Sequence, residues 1–339
     1  MVMNLEQPQR LVRTLRELEF LLGVNRQELR SLALARSELY KQRDEPKKQH
    51  PYPGKRRLAE MAQPVKHRKI ENPAKRLKDI QRKILRRILN LFELPDYLFG
   101  AVSGRTLTQN SKAHLKHQNA TVVSLDISSY YPSVSNDKVY KVWCEVLGCR
   151  PSVANLLTKL TTNGRHLPQG APTSPALANI FLASIYAPVC LASKRQGLTV
   201  SVWVDDLFFA GEEARQMIEV VRSVLAKNGL KVSRKKVKIF GSQSEKKIAG
   251  TRLGKEEVRA THQKMSELRA AIHRLELGIV PPDEREKYVK NLCGRIAHIN
   301  SVCPRDGKKI ALQAARAGVA LRPPTASRPS AIPGTRRSC

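Results

Sequence analysis

Three aspartates stand where a carboxylate has no obvious structural reason to be. Asp126 closes the run TVVSLD, whose Val122, Val123 and Leu125 are apolar, and Asp205 and Asp206 lie side by side between Val200, Val202, Val204 and Leu207, Phe208, Phe209. A strand buried on both faces can hold a carboxylate only if something cationic compensates it. Three such acids at strand ends, in a chain with 29 Asp plus Glu against 61 Lys plus Arg, point to divalent cations. Mg²⁺ takes a few carboxylates and completes its octahedron with water and substrate phosphates. Two such ions, about 3.5–4 Å apart, activate an attacking hydroxyl and neutralise a leaving phosphate. Taken alone, Asp205-Asp206 is equally a hairpin turn, for which Asp is a common residue; Asp126 in the same kind of context favours the cations.

The rest of the composition agrees with a phosphate-bearing partner. The 339 residues carry a formal charge of +32, which makes a polyanion the default expectation. A 41% hydrophobic fraction is too high for a disordered basic tail protein and supplies one large core or several small ones. With 5% aromatics, a passive single-strand binder built on stacking platforms is disfavoured. The six cysteines include no C-x-x-C pair or zinc spacing, so a reduced chain is the simpler reading. The N-terminus MVMNLEQPQR has no apolar core and nowhere do 18 apolar residues run together; the expectation is a cytoplasmic protein without a membrane partner.

The elements that must position the aspartates can be read from periodicity. Leu11, Leu15, Leu18 and Leu22 mark an amphipathic helix within residues 9–40. Residues 41–90 hold 17 basic and 5 acidic residues; the early part, DEPKKQHPYPGKRR, reads as a basic loop or hairpin. Residues 75–92 restore a helical period through Leu77, Ile80, Ile84, Ile88 and Leu91, with a basic face expected to meet phosphate. The middle reads as a strand at 121–127, helices at 136–147, 152–161 and 174–191, and a hairpin at 200–210. A helix at 213–228 and strands near 230–233, 237–240 and 246–250 follow. This order suits an α+β sheet with helices on one face. Helices continue from Thr261 to Gly318 with breaks at Pro281-Pro282 and Pro304, and the Pro/Ser/Arg-rich end is expected to be disordered.

SLDISSYYPSV (124–134), LPQGAPTSPALANIFL (167–182) and WVDDLFFAG (203–211), in this order and spacing, resemble motifs A, B and C of reverse transcriptases, and PQGAPTSP resembles the bacterial retron and group II intron branch. The chain length favours the retron type. The resemblance implies a right-hand polymerase, with a ferredoxin-like antiparallel palm sheet and a helical thumb. Its parts would be an N-terminal helical extension (1–45), fingers (46–120), palm (121–255, with a fingers insertion around 136–170), thumb (256–321) and a disordered tail (322–339).

It also implies roles. Asp126, Asp205 and Asp206, with Ile127, would bind two Mg²⁺ ions. Tyr131 would lie under the sugar of the incoming dNTP and exclude a 2′-hydroxyl. Gln169 and Gly170 would open motif B, where Gly lets the backbone approach nucleotide or template. Arg68, with Lys66 as a second candidate, would meet the triphosphate, and Ile127 would join the dNTP site. Lys236, in the stretch similar to motif D, would protonate the pyrophosphate, although Lys235 and Lys238 are close by and Ser233 stands where the family has Asn. Asn110 and His114 match a retron element expected to contact RNA, with Ser111 in place of Ala. Two further departures are Trp203, where the family has Tyr, and Ile248-Ala249-Gly250, where retrons carry Val-Thr-Gly. The implied partners are an RNA template and RNA/DNA hybrid, dNTPs, a dedicated structured non-coding RNA and an effector protein acting in phage defence. The rivals are a group II intron-like or other domesticated transcriptase and an inactive RNA-binding scaffold, against which the three intact aspartates argue.

Overall fold

The computed structural model describes residues 12–35, 37–46 and 67–319. The chain divides between Ala249 and Gly250 into two compact units.

In the first unit, the expected N-terminal helix is two helices, Leu15–Leu22 and Arg26–Leu34. Thr14 and Glu17 form a capping box at the start, and Gly23 at φ +57° ends the first helix, donating its N–H to the carbonyls of Glu19 and Phe20. Next comes β1 (Tyr40–Pro46), antiparallel to β2 (His67–Pro73) from Tyr40 opposite Pro73 to Pro46 opposite His67. The anticipated extension boundary at residue 45 therefore falls inside a strand. Of the anticipated basic loop, all but its first three residues lie outside the described residues, as do Lys66 and the tail 322–339.

The Lys75–Arg87 helix buries Leu77, Ile80 and Ile84. Part of its basic face is engaged with the N-terminal helices. Lys83 Nζ donates to Leu22 O at 2.6 Å, Arg87 donates to the carbonyl of Leu21, and Arg76 pairs with Glu28. The Leu15–Leu22 helix has no basic residue in its own last turn, so Lys83 and Arg87 complement the negative end of its dipole.

The centre of the unit is a four-stranded sheet of β3 (Val122–Asp126), β4 (Thr199–Trp203), β5 (Asp206–Ala210) and β6 (Lys238–Phe240). Its spatial order is β4-β5-β3-β6 and every neighbour is antiparallel. Helices between β3 and β4 (Pro151–Thr161, Ser174–Ile185 and Ala187–Arg195 among them) and Met217–Lys227 between β5 and β6 complete a β-α-β-β-α-β path, the ferredoxin-like arrangement. Strand alternation sorts the side chains. Val123, Leu125, Leu207 and Phe209 enter the main core, whereas Asp126 and Asp206 share the opposite face with Ser124 and Phe208. The expected helix at 174–191 is kinked by 58° at Tyr186, ahead of Pro188. Among the described residues no single helix is long and apolar enough to cross a membrane.

The second unit has a hairpin of β8 (Thr251–Leu253) and β9 (Val258–Ala260), which follow a two-residue β7 (Lys247–Ile248) at the end of the first unit. Three helices follow, His262–Glu276, Pro282–Val302 and Pro304–Arg316, around Leu268, Ile272, Leu292, Ile296 and Ile310. The prolines read as breaks are the starts of the second and third helices, where a missing N–H is harmless. Arg259 forks onto both oxygens of buried Asp306; burial pushes that carboxyl up, but the guanidinium outweighs it and holds it below its ordinary value.

Candidate active site

Asp126 at the end of β3 lies directly opposite Asp206 at the start of β5, and Asp206 also pairs with Trp203 of β4. Asp205 sits in the two-residue turn with Val204, and Ile127 N–H donates to its carbonyl at 2.9 Å, stitching the turn to β3. Val204 has φ +60°, a region a β-branched residue enters only when its surroundings impose it. The surroundings are visible. Segment 97–100 lies along β4: Val202 N–H donates to Tyr97 O at 2.7 Å, and Val202 O accepts from Phe99 and Gly100. Gly100 comes so close that a Cβ there would lie 2.3 Å from Val204 N. Buried Asn179, on the Ser174–Ile185 helix, donates from Nδ2 to Gly100 O at 2.9 Å. Sequence reading missed Gly100 and Asn179, because the contacts that matter join segments about 80 to 100 positions apart.

The electrostatics are those of an incomplete cation site. Burial pushes Asp206 up to about 6, reinforced by Asp205 and Asp126 and opposed by Lys236 and Lys238. Burial and Asp126 raise Asp205 as well, against Lys236 and Arg68. Lys236 Nζ sits 2.6 Å from Asp126 Oδ2, and Ser233 N–H donates to Asp126 O at 2.8 Å. Among the described residues no group of three His, Cys, Asp or Glu side chains stands arranged to hold a metal ion. The donor set nonetheless fits Mg²⁺: hard oxygens, mutual repulsion that a cation relieves, and an ammonium already drawn to one carboxylate. An open shell is what an ion shared with substrate phosphates requires.

Around the carboxylates, Tyr131 packs against Tyr130 with ring centroids 5.9 Å apart, and Tyr130 donates to Ala178 O at 2.6 Å. Burial and then Asp205 push the Tyr131 hydroxyl up to about 12, with Arg68 opposing. Arg68, exposed on β2, thus acts on both Tyr131 and Asp205. Ile127 is 1% exposed, so its side chain belongs to the core and any ligand contact from it must come from the backbone. Gly170, at φ +135°, would place a Cβ 2.8 Å from Glu71 O, and Glu71 N–H donates to Gln169 O at 2.8 Å. In this structure the close approach that Gly170 permits is to β2. Glu71, an acid in a basic run, is buried and accepts from Asn163 Nδ2 at 2.6 Å and contacts His166 Nε2 at 2.9 Å. The strand carrying Arg68 is thereby locked to the loop carrying Gln169.

Comparison with known proteins decides the family. The family model described as reverse transcriptase (RNA-dependent DNA polymerase) matches residues 46–258. The chain belongs to the reverse transcriptase family. Its relatives include the Retron Ec86 reverse transcriptase of Escherichia coli, 26% identical over 72% of this chain and 74% of that protein. The Retron Se72 reverse transcriptase of Salmonella heidelberg is 31% identical over 56% of this chain and 51% of the relative, and the Retron Ec48 reverse transcriptase of Escherichia coli 27% over 78% and 65%. These matches support an RNA-directed DNA polymerase of retron type.

Within this reverse transcriptase, Asn110 and His114 do not form an RNA-contacting surface. Both are fully buried. His114 Nε2 bonds Ser201 Oγ at 2.7 Å, and its ring meets Phe208 edge-on at 6.5 Å. Burial, then His117 and Lys116, push its pKa down to about 3, so the ring is neutral. Asn110 has neither amide atom hydrogen-bonded, and the intervening Ser111 Oγ donates to Leu107 O and Ile248 O. A polar pair at i, i+4 looks the same in sequence whether it faces water or a sheet; here the sheet face carrying Ser201 and Phe208 claims it.

Proposed function

We propose that this chain copies a structured non-coding RNA into DNA by two-metal nucleotidyl transfer. The observation that carries the proposal is the Asp126, Asp205, Asp206 cluster, in which Asp205 and Asp206 have raised carboxyl pKa values, at the turned end of β5. Two Mg²⁺ ions, held by these carboxylates together with the Ile127 backbone, would neutralise charge on the reacting phosphate and sharpen the attacking 3′-hydroxyl. The chain's own residues do the positioning, the larger part of catalysis in phosphoryl transfer. Arg68 offers a planar fork of donors to the triphosphate, Tyr131 fills the space a 2′-hydroxyl needs, and the Glu71 lock sets one against the other. Lys236 neutralises Asp126 in the resting protein and is the candidate donor of a proton to pyrophosphate.

On this reading residues 46–120 act as fingers, 121–255 as palm and 256–321 as thumb, and the substrates are RNA template and dNTPs. An associated effector and a role against phage are part of the proposal. Two experiments test it. The double change Asp205→Asn, Asp206→Asn should abolish Mg²⁺-dependent dNTP incorporation on an RNA template, and full activity would sink it. Sequencing copurified nucleic acid should return an RNA–DNA hybrid of one defined sequence; a heterogeneous RNA pool would count against the retron type.

A further inference from the structure

A second basic surface lies on the first unit, built from residues that take no part in the site above. The Leu15–Leu22, Arg26–Leu34 and Pro151–Thr161 helices enclose two adjoining clefts, of about 420 and 430 Å³, which share Leu15 and Ser152 in their walls. The first is lined by Arg13, Arg16, Arg26 and Arg150, and the second adds Arg30 and Lys159. The acids of the two N-terminal helices are engaged: Glu28 pairs with Arg76. Glu19 pairs with Arg26 at 3.1 Å. Glu17 accepts from the backbone N–H groups of Arg13 and Thr14, which with the Arg13 and Arg150 charges holds it below its ordinary value. Among the described residues, Arg16, Arg30 and Lys159 form no salt bridge with an acid, and Arg150 acts on Glu17 only through its charge, without an ion pair. The Pro151–Thr161 helix opens into the groove with Arg150 as N-cap and no side-chain cap; Pro151 has no N–H and Val153 and Ala154 donate to Arg150 O, so the first turn offers an anion the Ser152 N–H alone.

We infer that this groove binds the phosphodiester backbone of a structured RNA outside the catalytic site. No Phe, Tyr or Trp lines either cleft, so bases have nothing to stack on and the contact is to backbone rather than sequence. RNA is the occupant because Ser152 and Asn155, exposed on the same wall, can meet 2′-hydroxyls. The inference rests on the polymerase reading for the presence of RNA, and none of Asp126, Asp205, Asp206, Tyr131 or Arg68 borders the groove.

The test uses the full chain and a stem–loop RNA of arbitrary sequence, with its DNA counterpart beside it. Arg16→Glu, Arg150→Glu should weaken RNA binding at least about tenfold and flatten the log–log salt dependence by roughly 0.7 for every phosphate released. Primer extension on a short template at saturating concentration should keep its kcat. Arg16→Lys, Arg150→Lys should restore binding, and Arg30→Glu, Lys159→Glu should repeat the loss if the first pair misfolds. Unchanged affinity and salt slope in both reversal variants overturns the groove. A lower kcat in a variant of unchanged Tm overturns its separation from the template path, and equal effects on DNA overturn the choice of RNA. If the wild-type chain extends no primer, it is the polymerase reading that fails, and the binding arm still judges the groove.

Discussion

One face of the central sheet carries polar side chains at two places, and they have opposite fates. Towards the Val204–Asp205 turn, Asp126 and Asp206 meet across β3 and β5 with their charges unresolved; the one salt bridge described there, Lys236 to Asp126, leaves Asp206 with a pKa pushed up to about 6. Further along, His114 is driven neutral and bonded to Ser201. Burial is common to both. What separates them is whether the fold has discharged the group: neutralised polar residues are architecture, while like charges held together against repulsion await a ligand.

That contrast can be broken, most severely at the turn. Asp126→Asn should lower nucleotide incorporation by on the order of 10²–10³-fold, the scale of losing one preorganised electrostatic partner, with little change in Tm; a steady-state rate on an RNA template measures it. Gly100→Ala places a methyl against Val204 N, and overpacking of about 1–3 kcal/mol should shift the turn, lowering kcat by roughly tenfold or more while dNTP KM changes less. If Gly100→Ala keeps full activity, the brace on Val204 is not needed.

The buried pair should behave differently. His114→Ala should destabilise the fold by about 1–3 kcal/mol, because Ser201 loses its partner, and leave activity per folded molecule unchanged. A pH series sharpens the same point. Asp206 has a folded pKa above its unfolded value, so the fold binds more protons than the unfolded chain between about pH 4 and 6, and metal-free stability should fall as pH rises through that window. Asp206→Asn should flatten that slope, leaving the part due to the raised Asp205, and Mg²⁺ should recover stability above the window. The smallest effect on activity is expected of Asn110→Leu, a fully buried position outside the carboxylate cluster: the rate per folded molecule should hold.

Much of this is legible in the sequence for a physical reason. Asp126, Tyr131, Gly170 and Asp205-Asp206 sit in short strings whose spacing is local, and the helices of the second unit follow from apolar period and proline position. What escapes depends on distant partners. Gly100 matters only because Val204 lies against it, Glu71 only because Asn163 and His166 reach it, and Lys83 and Arg87 are engaged only because the Leu15–Leu22 helix ends beside them. Asn110 and His114 mislead for the same reason, since nothing within five residues shows that the sheet will cover them.

The Glu71 lock also sets an order of events during synthesis. Its partners Asn163 and His166 follow it by 92 and 95 residues, so at about 5–20 residues per second the strand bearing Arg68 emerges roughly 5–20 s before anything can receive its carboxylate. Until then β1 and β2 have only the partners made before residue 163, among them Gln81 on Tyr40. The strand bearing Arg68 is therefore made early and joined to the loop carrying Gln169 only once residue 166 is present, and a pause between codons 71 and 166 would lengthen that interval.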